Sequence, residues 1–207
     1  MRTYRALAAL LSYPTAELVA ALPEIGAVLD KQPVKGLLAE LASEPLLALE
    51  ERYVALFDRS RALSLHLFEH VHGESRDRGQ AMVDLQAMYE TRGLKSAGGE
   101  LPDFIPAFLE YLSLGSRSEV QKLLQETAHI WRALGERLAE RGSRYAEVFD
   151  ALLRLAGEPA LKAVALVSPP EDHEALDAQW MDPEVTFGGN ERPAVAPVRL
   201  YRKGVPA

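Results

Sequence analysis

Apolar residues recur every three or four positions along most of the chain, the period of a helix with one face in a core. The clearest run is Val120, Leu123, Leu124, Thr127, Ile130, Trp131, Leu134 and Leu138. Ser116-Arg117-Ser118-Glu119 precedes it as a capping box and Gly142 ends it, so one long helix is predicted. Tyr145, Val148, Phe149, Leu152 and Leu155 mark a further helix that stops near Gly157, and Leu161 to Val167 reads as a last short one. Near the start, Tyr4 to Leu11 forms a short helix halted before Pro14. Thr15 caps a second, Ala16 to Leu22, ended by Pro23. Ile25 to Gly36 holds two glycines and a proline and reads as broken. Pro45 suits the first turn of the next helix, with Leu46, Leu49, Tyr53 and Leu56 at helical spacing. Ser75 caps a helix striped by Met82, Leu85, Met88 and Tyr89 and ended by Gly93; Leu94 to Gly99 is a loop. Asp103 caps another, with Pro106 in its first turn and Phe104, Phe108, Leu109 and Leu112 on its apolar face. No segment alternates with the strand period and no Asn-Gly hairpin appears, so the fold class is all-α.

One stretch breaks the pattern. Phe57-Asp58-Arg59-Ser60-Arg61 and Glu69 through Gln80 mix acids with arginines, and an apolar run, Leu63 to Phe68, lies between them. Charge on a surface helix usually follows a single face. On a wheel of about 100° per residue, Leu63, Leu67 and Val71 fall together, and Leu65 and Phe68 widen the arc past half the circle. His66, Glu69 and His70 share the polar edge, which predicts a mostly buried helix with one polar seam, interrupted at Gly73. Ionisable groups this dense beside an apolar run indicate a site or an internal polar network.

Composition narrows the classes. A chain of 207 residues, 48% hydrophobic, makes one domain with a real core. The absence of cysteine excludes disulfides and thiolate metal sites. No apolar run reaches the ~20 residues that span a bilayer, so an integral membrane protein is not expected. Met1 to Leu7 carries two arginines and a short apolar stretch but no small-residue cleavage site, and a cytoplasmic protein is expected. A net charge of −7 argues against nucleic acid and favours a basic partner. From Ser168 the character changes: Pro169, Pro170, Pro183, Pro193 and Pro197 puncture the tail, and Glu171, Asp172, Glu174, Asp177, Asp182 and Glu184 load its first half. The expected organisation is a helical domain, 1–167, and an irregular, acidic, mobile or loosely docked tail, 168–207.

Catalytic motifs are scarce. There is no phosphate-binding Gly-rich loop and no Gly-x-Ser-x-Gly elbow. The enzymatic alternative is a di-iron or zinc site. His66 and His70 are four apart with Glu69 between them, and Glu69-x-x-His72 and Glu126-x-x-His129 match the Glu-x-x-His pattern of di-iron bundles. On their helix, however, Glu126 and His129 point away from the apolar arc, and His72 precedes the helix-breaking Gly73.

The block from Phe68 through Glu69-His70-Val71-His72-Gly73-Glu74-Ser75-Arg76-Asp77-Arg78-Gly79-Gln80 to Leu85 closely resembles the signature of the respiratory nitrate reductase delta subunit family, the NarJ-type molybdenum cofactor assembly chaperones. Asp58-Arg59-Ser60-Arg61, Glu100-Leu101-Pro102-Asp103-Phe104-Ile105-Pro106, Leu10 to Pro14 and Trp180 with Val185-Thr186-Phe187 look like the same family. Tyr53-x-x-Leu56-Phe57 is similar to the wider TorD-like group of redox enzyme maturation proteins. The resemblance implies a compact helical bundle and a non-catalytic chaperone without a cofactor of its own. Such a protein binds the N-terminal segment of the nitrate reductase catalytic (alpha) subunit. It holds the apoenzyme open for molybdenum cofactor insertion before membrane docking, with cofactor biosynthesis proteins as further candidate partners.

A basic amphipathic client helix would lay its apolar face in a groove whose rim is acidic. The expected client-binding residues are Phe57, Asp58, Arg59, Arg61, Leu65, Phe68, Glu69, His70, His72, Gly73, Glu74, Arg76, Asp77, Arg78, Gln80 and Asp84. Leu65 and Phe68 would supply apolar contact, the acids negative charge, and the arginines would brace the acids or bind client carboxylates. Protonation of His70 or His72 near pH ~6.5 would change the charge of the groove and release the client.

Overall fold

Helix α1 (Arg2–Leu10) turns Tyr4, Leu7, Ala8 and Leu10 inward. The computed structural model that places it describes residues 2–71, 77–94 and 100–162. Nine further α-helices follow among them: α2 (Ala16–Val28), α3 (Lys35–Ser43), α4 (Leu46–Tyr53), α5 (Leu67–Val71), α6 (Asp77–Glu90), α7 (Ile105–Ser113), α8 (Arg117–Glu126), α9 (Ala128–Glu140) and α10 (Ala146–Ala156). No strand occurs among the described residues; the chain is all-α. The predicted tail and most of Leu161 to Val167 lie outside them, and Leu161 and Lys162 are not helical.

Two pairings carry the core: α1 on α7, and α9 on α10. Trp131, Tyr111, Tyr145 and Phe149 are its largest fully buried side chains. Helix α9 approaches α10 closely at Gly135, where a Cβ would stand 3.1 Å from the Phe149 Cβ and 2.7 Å from Leu161 Cδ1. Helix α10 ends at Gly157, whose φ of +83° is the left-handed cap geometry that glycine adopts without steric cost. Burial explains why α10 forms as predicted: Val148, Phe149, Leu152 and Ala156 are buried on a helix that packs on α9 and α8.

Several sequence expectations change. Pro23 does not end α2, because the helix gains the buried faces of Leu22 and Ile25 by continuing, and Pro23 itself is exposed. Thr15 caps α2 as predicted, accepting from the Leu18 N–H. The long helix expected over 120–138 is two helices, α8 and α9, divided at Thr127. Its hydroxyl donates to the Leu123 carbonyl (2.7 Å), the back-bonding by which threonine competes with the helical ladder. Ser116 caps α8 through the Glu119 N–H, as the capping box requires. Pro45 is the N-cap residue of α4 rather than a member of its first turn. Helix α3, inside and beyond a segment read as broken, begins where Glu147 accepts the Leu37 N–H from 110 residues away.

The largest correction concerns the centre of the chain. No continuous helix covers Leu63 to Val71. A π-helical turn, Val54–Asp58, follows α4; a 3₁₀ turn, Arg61–Leu63, comes next; residues 64–66 are extended; only then does the five-residue α5 begin.

Candidate functional site

The extended residues are held by a buried carboxylate. Asp103, just before α7, has no exposed surface. Its carboxylate accepts the Phe68 N–H at 3.1 Å and lies 3.0 Å from His66 Nδ1. Its backbone carbonyl accepts the Leu67 N–H (2.9 Å), and the Ile105 N–H donates to the Leu65 carbonyl (2.8 Å). One acid thus satisfies the N-terminus of α5 and the ring of His66, while two main-chain bonds tie residues 65–67 to 103–105. A helix through Leu63–Phe68 would forfeit these bonds and leave the Asp103 charge buried without donors, which outweighs helical propensity. This is why Asp103, which reads as a cap of α7, does not cap it: the N-cap of α7 is Phe104, with no side-chain bond.

Further polar contacts fix the same region. The Arg137 guanidinium on α9 donates to the Ala62 carbonyl (2.9 Å). His70 Nε2 donates to the Ser64 carbonyl (2.8 Å), which sets its tautomer. Arg78 pairs with Glu69 at 3.4 Å, and the Gln80 amide donates to Asp84 (2.8 Å). The Tyr89 hydroxyl on α6 donates to the Pro102 carbonyl (2.8 Å), bracing the segment that carries Asp103. The two histidines shift in opposite directions. The hydrogen bond from the His66 ring to the Asp103 carboxylate raises the His66 pKa against the opposing effect of burial. Burial lowers that of His70, with the Arg137 charge acting the same way. Protonation of His70 near its unperturbed value is therefore not supported; His66 is the ring poised to charge first.

The predicted site residues separate into three groups. Asp58, Arg59, Arg61, Asp77, Gln80 and Asp84 are exposed. Phe68, Glu69, His70 and Arg78 are half-buried. Phe57 and Leu65 are buried, at 6% and 3% exposure, so their side chains cannot form the apolar contact expected of Leu65. The Phe57 ring packs edge-on to Tyr145 at 5.1 Å and against Tyr53 at 4.9 Å. His72, Gly73, Glu74 and Arg76 lie outside the described residues. The metal reading finds no geometry: His66 faces Asp103 and His70 faces Ser64, Glu126 and His129 are exposed, and no group of three potential ligands occurs among the described residues. Asp103, Ser64 and Arg137 were missed as site residues. The motif Glu100 to Pro106 flagged the segment, but an acid before an apolar helix signals a cap as readily as a clamp.

The architecture has a counterpart among solved structures. It matches the crystal structure of an Archaeoglobus fulgidus protein titled a putative redox enzyme maturation protein, with a TM-score of 0.57 at 21% identity, over 76% of this chain and 94% of that one. That likeness is one of fold. The chain belongs to the nitrate reductase delta subunit family, whose model matches residues 8–151. Among its relatives is the nitrate reductase molybdenum cofactor assembly chaperone NarJ of Escherichia coli K12, 46% identical over 155 residues, 72% of this chain and 66% of the relative. The probable chaperone NarW of the same organism is 45% identical over 152 residues, 71% of this chain and 66% of NarW. The Bacillus subtilis NarJ relative is 31% identical over 158 residues, 73% of this chain and 86% of that protein. The matched region thus spans about two thirds of the Escherichia coli relatives' length. No helix among the described residues is long and apolar enough to cross a membrane.

Proposed function

We propose that this protein is a cytoplasmic assembly chaperone, not an enzyme, whose client is the catalytic subunit of a nitrate reductase. It binds that subunit's N-terminal segment, keeps the apoenzyme open for insertion of the molybdenum cofactor, and restrains its docking at the membrane. Proteins that make or deliver the cofactor are its further partners. The 46% identity to a chaperone of that name carries the reading. The ion-rich surface supports it. Asp58, Asp77 and Asp84 stand exposed on a chain of net charge −7, and attract a cationic segment before any close contact forms. The rigid clamp beneath that surface gives it a fixed shape on which a client can dock with little reorganisation.

Affinity capture tests it. The tagged protein, expressed with a nitrate reductase operon lacking its own delta subunit, retains the catalytic subunit when cofactor synthesis is blocked. The same capture loses that subunit when its N-terminal segment is deleted. Retention of the truncated subunit at full yield would contradict the segment as the contact, and capture of no reductase subunit would contradict the function.

A further inference from the structure

A cleft of about 730 Å³ opens where the α2–α3 link meets the junction of α9 and α10, and the chaperone reading leaves it unused. Its volume is that of a small-molecule site. Three segments line it: Asp30 to Lys35 with Gly36, the α9–α10 junction around Arg144, and the strap after α10 that carries Leu161 and Lys162. Each is fixed in place. The Leu37 N–H donates to Glu147 (2.9 Å), which pins the start of α3 to α10. A Cβ at Gly36 would overlap the Glu147 carboxylate and stand 2.9 Å from Arg144 Nη1, so this close approach requires glycine. The strap is held by Asp150, which accepts the Leu161 N–H (2.7 Å), and by Arg132, which donates to the Pro159 carbonyl (2.8 Å).

The lining is cationic on a chain that is not. It holds five bases, Lys31, Lys35, Arg144, Arg154 and Lys162, and three acids, Asp30, Glu147 and Asp150, an excess of two positive charges where the whole chain carries −7. Two of the acids are already engaged. Glu147 pairs with Arg144 (3.3 Å) and Asp150 with Arg154 (2.9 Å), each while accepting a main-chain N–H. Lys31, Lys35 and Lys162 form no ion pair among the described residues. Like charges gathered on one cleft repel, and a multiply charged anion relieves that repulsion. A lone carboxylate meets one such cation at a time. A diphosphate carries several charges on a compact frame and meets lysines from the link, α3 and the strap together, and both lysine and arginine suit phosphate oxygens.

We infer that this cleft binds the diphosphate group of a small molecule through Lys31, Lys35 and Lys162, with the Arg144 guanidinium, held by Glu147, beside them. The site stands apart from the proposed function and does not depend on it. Asp30, the acid of the lining that no partner engages, opposes the ligand and sets a limit on its affinity.

The test is isothermal titration calorimetry of the full-length protein with inorganic pyrophosphate, and with citrate at the same ionic strength. Pyrophosphate binds at one site, about tenfold or more tighter than citrate. Lys35→Gln with Lys162→Gln weakens pyrophosphate binding about tenfold or more. Asp30→Asn tightens it roughly two- to threefold, a gain that misfolding cannot imitate. Lys122→Gln, which removes a lysine of α8 that is 77% exposed and outside the cleft, leaves it unchanged. In NMR spectra the amide signals of Gly36 and Ser143 shift on titration and those of α7 do not. Citrate that binds as tightly as pyrophosphate overturns the diphosphate assignment and leaves only a general attraction of anions. Wild-type affinity in the double lysine variant, shifts confined to other parts of the chain, or no binding of pyrophosphate overturns the site.

Discussion

The α9–α10 pair and the stretch from Phe57 to Val71 both bury apolar residues and are built differently. In α9 and α10, burial follows the helical period, and each of Trp131, Leu134, Leu138, Phe149 and Leu152 is fully enclosed. Between Phe57 and Val71, Leu63, Leu65 and Leu67 are also enclosed, yet they lie in three different elements: the 3₁₀ turn, the non-helical link and the start of α5. Apolar content drives both inward. The difference lies in where the backbone finds its hydrogen bonds. Helices α9 and α10 pair their backbone mostly within themselves, with the Ala156 carbonyl accepting the Gln121 amide; residues 64–68 borrow Asp103 and Ile105. A segment held by borrowed partners can present charged side chains that a self-sufficient helix would spread around its axis.

The largest expected effect lies in the periodic half. Phe149→Ala removes a fully buried ring and lowers stability by about 4 kcal/mol, read from urea denaturation. Asp103→Ala costs about 3 kcal/mol, because it orphans the Phe68 N–H and the His66 ring together. Asp103→Asn keeps an acceptor and costs about 1 kcal/mol. A loss for Asp103→Ala no greater than that for Asp103→Asn would mean the stretch does not depend on its clamp.

Titration is a subtler probe of the same clamp. The raised pKa of His66 stabilises the fold fully below its unfolded value of about 6.5, and this contribution is lost as pH rises through the folded pKa. The lowered pKa of His70 acts oppositely: its contribution is full above about 6.5 and is lost as pH falls through its folded value. The melting-temperature advantage of wild type over His66→Gln is therefore greatest in mild acid and shrinks as pH rises. In NMR spectra the His66 ring titrates at higher pH than that of His70. The reverse order would break the assignment of His66 to Asp103.

This contrast also explains what could be read in advance. Helices α1, α6 and α10 follow from periodicity with Gly93 and Gly157 as stops, because burial there is local and repetitive. The run Leu63–Phe68 reads as helix because Leu63, Leu67 and Val71 fit that period. The acid that overrides it, Asp103, lies 35 residues from the Phe68 N–H that it accepts. Helix α3 was missed for a related reason, since Glu147 supplies its first-turn acceptor from the far end of the chain. Of the surface, the exposed charges Asp58, Arg59, Asp77 and Asp84 were legible from their clustering. The burial of Phe57 and Leu65 was not, because alternation over so short a run resembles one face of a helix.

The central claim is that the ion-rich half, and not the periodic half, receives another polypeptide. Hydrogen–deuterium exchange of the intact protein, with and without the catalytic subunit's N-terminal peptide, tests it most directly. The expected result is slowed exchange across 47–71 on peptide addition, with α9 and α10 unchanged. Protection confined to α9 and α10, or none anywhere at saturating peptide, would contradict it.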